Sequence, residues 1–208
     1  FSNSFKQSTK KFGLKIIKEK FFVNSNDPRV RDKNSLAFLT KGKKYNAVFI
    51  SDTDGEFALS IPNATMYPAL VTGSSGLIAN TWHWSYLRHG APQLNGRFER
   101  LHNRRMESKD WSAWIAIKTL VESILRVQSI NNNELIEFIS SDNFKLDGSK
   151  GISLSYKKWS NQLRQTILLT SSDNWVTIKA PLDDFQNNNN NLDTLGISSK
   201  DITCNKGE

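Results

Sequence analysis

The chain has 208 residues, 38% of them hydrophobic and 11% aromatic, which is enough to pack one generous domain or two small lobes. Its 28 basic and 20 acidic side chains leave a formal charge of +8, yet the two signs interleave without a long block, which speaks against a dedicated nucleic-acid footprint. No window approaches the roughly 20 apolar residues of a membrane span, so direct membrane insertion is not expected.

The single cysteine, Cys204, offers neither an intramolecular disulfide nor a zinc ligand set, so counting leaves the redox compartment open. Phe1, Phe5 and Phe12 ahead of Gly13 predict a helix already under way at the first residue, as in a processed chain or a fragment. Residues 14–23 then read as a β-rich run. Asn26-Asp27-Pro28 supplies a cap and a first-turn proline for a helix ending near Gly42.

Residues 45–51, YNAVFIS, form a short continuous apolar run of the kind found in parallel strands covered on both faces. Behind it comes the polar loop Asp52-Thr53-Asp54-Gly55-Glu56, at the carboxyl end where open α/β sheets place their ligands. A second short strand is predicted over 69–72, followed by the loop Gly73-Ser74-Ser75-Gly76, which lacks the lysine and spacing of a phosphate-binding loop. Asn80-Thr81-Trp82-His83-Trp84 alternates like a strand. Gly90-Ala91-Pro92 leads into a helix over 93–102.

Ser108 is placed to cap the clearest helix of the chain, with Asp110 in its first turn. Trp111, Trp114, Ile115, Ile117, Leu120, Val121, Ile124 and Leu125 recur at three and four residues, a wide apolar stripe that belongs in a core. A brief helix capped by Asn133 runs to Ile139. Strands are predicted over 152–156 and 165–170, and 183–191, with its five consecutive asparagines, as a loop before a polar tail. The order of strands and helices is that of an α/β protein.

Asp52, Asp54 and Glu56 suit a solute contact, a cation site or a plain solvated turn. Trp82 and Trp84 could wall a cleft or pack a core, while His83 has no partner nearby in sequence. Arg97, Arg100, Arg104 and Arg105 at helical spacing read as a solvated face. No nucleophile elbow, paired-histidine metal motif or dinucleotide fingerprint occurs, so neither catalysis nor a cofactor or metal is expected.

Several segments carry a resemblance. They are Asn26-Asp27-Pro28, Val48-Phe49-Ile50-Ser51-Asp52-Thr53-Asp54-Gly55-Glu56-Phe57, Thr81-Trp82-His83-Trp84, Gly90-Ala91-Pro92-Gln93-Leu94, Arg97-Phe98, Lys109-Asp110-Trp111, Gln162-Leu163-Arg164-Gln165 and Leu192-Asp193-Thr194-Leu195-Gly196. Together they resemble the C-terminal half of the branched-chain amino-acid type of periplasmic solute-binding protein. The subgroup is that of ABC-transporter components associated with pyrroloquinoline-quinone-dependent alcohol dehydrogenase systems.

The resemblance implies a type 1 periplasmic-binding fold, an α/β architecture of two Rossmann-like lobes with mainly parallel sheets that close on a small organic solute. Residues 1–84 would then be second lobe, 85–147 a return to the first, 148–180 a return to the second, and 181–208 a tail. Ligand contacts would come from Ser51, Asp52, Asp54, Ser74, Ser75 and Trp82. The implied location is the periplasm, where Cys204 could pair with a cysteine of the other lobe. The implied partners are a membrane ABC permease or the alcohol-oxidation system, with no nucleic acid. The rival readings are an effector-sensing domain of a transcription regulator on the same fold and, behind it, an α/β enzyme. On this view part of the helix beginning at Trp111 should lack a sheet to cover it.

Overall fold

The computed structural model describes residues 1–23, 25, 27–52, 65–171, 175–181, 191–196 and 198–201. It is a mixed α/β structure in two compact units, Phe1–Ile78 with Ser171–Asp173, and Ala79–Thr170 with Asn174–Glu208.

The first unit opens on helix α1, Ser2–Lys11, which carries Lys10 and Lys11 in its last turn, where cations meet the negative end of the helix dipole. Gly13 follows at φ +68°, a left-handed stop suited to glycine. The apolar face predicted for α1 lies on strand β1, Ala47–Ile50, where the Phe5 ring stacks on Phe49 with centroids 3.7 Å apart and Phe1 tilts against the same ring at 5.3 Å. β1 pairs in parallel with β2, Leu70–Gly73, in the register Ala47↔Leu70 to Ile50↔Gly73. Ile50 and Val71 are its buried positions.

Two expectations are corrected here. Residues 14–23 form no strand, and Leu14, Ile16, Ile17, Phe21 and Val23 are all exposed. Adjacent Ile16 and Ile17 break the alternation that would bury one face of a strand. The helix expected to reach Gly42 is instead two short pieces, α2 at Pro28–Lys33 and α3 at Leu36–Leu39. Between them the side chain of Asn34 takes up the Val23 backbone, accepting its N–H at 3.2 Å. Such side-chain bonding to the main chain competes with helix continuation.

The second unit is built around the 20-residue helix α5, Ser108–Val127, with α4 (Ala91–His102) before it and α6 (Asn132–Ser140) after. One small sheet has the order β4-β5-β6 (Leu146–Asp147, Ser153–Tyr156, Leu163–Arg164), with antiparallel pairings. The other has the order β3-β7-β8 (Ile78–Asn80, Ile167–Thr170, Val176–Ala180), with β7 and β8 antiparallel. The parallel character expected of the sheets is thus concentrated in β1 and β2. The strands β4, β6 and β8 were not foreseen: β4 and β6 are two residues long each, and β8 alternates Val176 and Ile178 with polar residues beside exposed Trp175.

Trp82, Tyr86, Ala91, Met106, Trp111, Ile115, Phe144, Leu146, Leu154 and Leu168 form the core of this unit. Only part of the apolar stripe of α5 reaches it. Trp111, Ile115, Thr119 and Ser123 are buried at four-residue spacing, whereas Ile117, Leu120, Val121 and Leu125 stay exposed. Thr119 and Ser123 are tolerated inside because their hydroxyls bond back to Ile115 O and Thr119 O, four residues earlier.

Glu107, not Ser108, caps α5, in a reciprocal box with Asp110. In α6 the cap is Asn131, whose side chain accepts from Asn133 N at 2.9 Å. Gly96 lies inside α4 with nothing within 4 Å of a Cβ built on it. Gly96→Ala is therefore expected to raise the stability of this unit by about 0.5–1 kcal/mol, read as a higher urea midpoint. No helix among the described residues is long and apolar enough to cross a membrane.

Candidate functional site

The carboxyl edge of β1 and β2 gathers most of the residues predicted to meet a ligand. Ser51 and Asp52 leave β1 as half-buried positions, and beside them Ser74 is half-buried and Ser75 buried. Ser74 fastens the two loops. Its N–H donates to Ile50 O at 2.9 Å, and its hydroxyl oxygen accepts from the Asp52 backbone N–H at 2.8 Å. An accepting hydroxyl keeps its own proton for an acceptor, so this serine can donate beyond the loop.

Gly73 at φ +113° and Gly76 at φ +77° hold the second loop down on the strands; a Cβ on either would run into backbone, Ile50 O or Val71 O. Thr72 assists by donating its hydroxyl to Leu77 O at 2.9 Å. The result is a tight edge presenting hydroxyls, backbone groups and one carboxylate. That donor and acceptor set matches a small solute with hydroxyl or amino groups. Asp54 and Glu56, like Cys204, lie outside the described residues.

Trp82 is placed in the second unit and is 1% exposed. The predicted strand through it does not form, because β3 ends at Asn80 and a side chain occupies the ladder groups of Trp82. Ser108 Oγ accepts Trp82 N–H at 3.3 Å and donates to Trp82 O at 2.9 Å. The indole stacks parallel to Trp111, centroids 6.0 Å apart, and donates Nε1–H to Asn95 Oδ1 at 3.0 Å. Its role is mainly packing.

Beside it lies a recess of about 340 Å³ lined by Asn80, His83, Trp84, Met106, Glu107 and Lys109. His83 Nδ1 sits 2.8 Å from Ser85 Oγ, and burial, with the Arg105 charge second, pulls its imidazole below the ordinary range. Arg105 itself lies 3.6 Å over the Trp84 ring. The arginines predicted as a solvated face therefore divide. Arg105 stacks, and Arg104 makes a two-pronged bond to Asp110 at 2.7 and 2.6 Å. That bond is the main reason the Asp110 carboxyl falls to about 2.

A second recess of the same unit, about 430 Å³, is bordered by Ser141, Asp142, Lys145, Ser153, Ser155 and Arg164. Arg164 is held in place by Asp193 at 2.7 Å and Tyr156 O at 2.8 Å. The two charges come from the Gln-Leu-Arg-Gln and Leu-Asp-Thr-Leu-Gly segments, whose meeting nothing in their spacing foretold. No group of three or more potential metal ligands forms among the described residues. Comparison with protein-family models, curated proteins and solved structures finds no match to this chain.

Proposed function

We propose that the chain is part of a periplasmic solute-binding protein of the type 1, branched-chain amino-acid class. It would be an ABC-transporter component linked to pyrroloquinoline-quinone-dependent alcohol oxidation. It captures a small organic solute by closure of two lobes and carries out no chemistry. Its partners are a membrane permease or the alcohol-oxidation system.

One observation carries the reading. A parallel strand pair ends in two loops at the same edge, and Ser74 ties them together through the Asp52 backbone. Solutes are received at that edge of open α/β sheets, outside the carboxyl ends of the strands. The sequence segments that resemble this class lead to the same reading.

The test begins with a thermal-shift screen of amino acids, short alcohols and small carboxylates, followed by calorimetric titration of the best solute. Asp52→Ala and Ser75→Ala are expected to weaken binding roughly tenfold to a hundredfold, the effect of losing hydrogen bonds of about 1.5–3 kcal/mol to a charged or desolvated group. Arg100→Ala, on the exposed side of α4, should leave affinity unchanged. Undiminished affinity in both loop variants would remove the site from this edge. In a filter-binding assay at moderate salt, retention of DNA of defined sequence would favour the transcription-regulator reading instead; none is expected.

A further inference from the structure

Lys150 is fully buried, with a relative exposure of 0%, in the turn that joins β4 to β5. The turn is specialised: Ser149 has φ +58° and Gly151 φ +79°, and a Cβ on Gly151 would strike the His89 ring. Several elements of the second unit hold it. Trp111 Nε1 donates to Gly148 O at 3.1 Å, Tyr86 Oη to Lys150 O at 3.4 Å, and Lys179 Nζ to the same carbonyl at 3.3 Å.

The side chain of Lys150 points inward. Its amine donates to Gln165 Oε1 at 2.7 Å and Thr166 O at 3.0 Å and lies 3.7 Å over the Trp111 ring. Two oxygens and a ring face offer a place to each N–H of an ammonium, but none of them is an anion. The titratable groups packed around the turn are Tyr86 and His89 ahead of α4, Lys118 on α5, whose amine donates to Asp147 O, Asp147 itself, whose carboxylate accepts the Ser149 N–H, and Lys179 on β8. No carboxylate among the described residues pairs with Lys150. The amine meets Thr166 only through its backbone carbonyl, and the Thr166 hydroxyl is buried without a partner.

We propose that Lys150 is a proton-operated latch, whose buried amine pins the β4–β5 turn to Trp111 and to the start of β7 and holds it less firmly once protonated.

Burial pulls this amine down to about 7. In the opened state a solvated lysine keeps its ordinary value, about 10.5. Opening above the lower value therefore takes up a proton, so stability is present at alkaline pH and is lost as pH falls toward neutrality. The opening constant should drop about tenfold per pH unit from roughly pH 7 to 10, and be flat below 7.

The experiment follows urea unfolding of the 208-residue chain by tryptophan emission between pH 6 and 10, for the native protein, Lys150→Met and His89→Gln. The native protein and His89→Gln are expected to show the slope, and Lys150→Met to lose it. A slope that survives in Lys150→Met, or one that disappears with His89, overturns the latch. Should Lys150→Met fail to fold, the titration of 13Cε-labelled lysines in the native chain decides. One resonance with a midpoint near 7 supports the latch, and midpoints all above about 9 overturn it.

Discussion

Trp111→Ala is expected to lower the stability of the second unit by about 3–5 kcal/mol, the usual cost of deleting a buried aromatic side chain. The residue is wholly buried and central: its ring stacks on Trp82, underlies the Lys150 amine, and its indole N–H satisfies Gly148 O. About 1–3 kcal/mol of that cost is the Gly148 carbonyl left unpaired in a closed interior. Against a typical domain stability of about 5–15 kcal/mol, such a loss removes a large share of the margin. Trp111→Phe retains an aromatic ring but loses the N–H bond and part of the indole's packing, so it should cost less than Trp111→Ala and still at least the about 1–3 kcal/mol of the unpaired carbonyl. Trp114→Ala, at a half-buried position one turn on, should cost distinctly less. Urea midpoints of the three variants give the ordering.

The second large effect is expected at Gly73→Ala. The backbone there has φ +113°, and the new Cβ would meet the Ile50 carbonyl, a group held in the parallel ladder and by the Ser74 N–H. Backbone cannot swing aside as a flexible side chain can. The strain of that φ alone is on the order of 1–3 kcal/mol, and displacing β1 adds to it. Gly13→Ala is the comparison: its φ is +68° with nothing within 4 Å, so it should cost only about 1 kcal/mol. Because Gly73 precedes the loop bearing Ser74 and Ser75, its replacement should also abolish solute binding, whereas Gly13→Ala should not.

Much of this architecture was legible because particular residues leave few choices. The apolar run at β1, the glycine-serine loop behind β2, the Gly90-Ala91-Pro92 entry to α4 and the periodicity of α5 led to elements close to their observed bounds, and α6 lies where it was expected although its cap is Asn131 and not Asn133. What failed was decided by side chains arriving from elsewhere. Ser108, expected as a cap, instead occupies the ladder groups of Trp82, while Glu107 takes over the capping. Asn34 interrupts a helix by bonding Val23, eleven residues back. The apolar stripe of α5 was read as belonging in a core with part of it left uncovered, and its Trp111, Ile115, Thr119 and Ser123 edge is the part that is buried.

Of the residues predicted to bind, Ser51, Asp52, Ser74 and Ser75 meet at one edge, because two short strands in register deliver both loops there. Trp82 belongs to the packing of the other unit. The buried amine of Lys150 had no signal in its Gly-Ser-Lys-Gly surroundings, since a lysine between turn residues normally points to water.

The proposed function is tested most directly by amide chemical-shift mapping of the chain as the solute from the thermal-shift screen is added. A solute received at the β1–β2 edge should move the signals of Ser51, Asp52, Ser74 and Ser75 most, along a saturating curve. Saturable shifts confined to His83, Trp84 and Lys109, or no saturable shift with any solute of the panel, would contradict it.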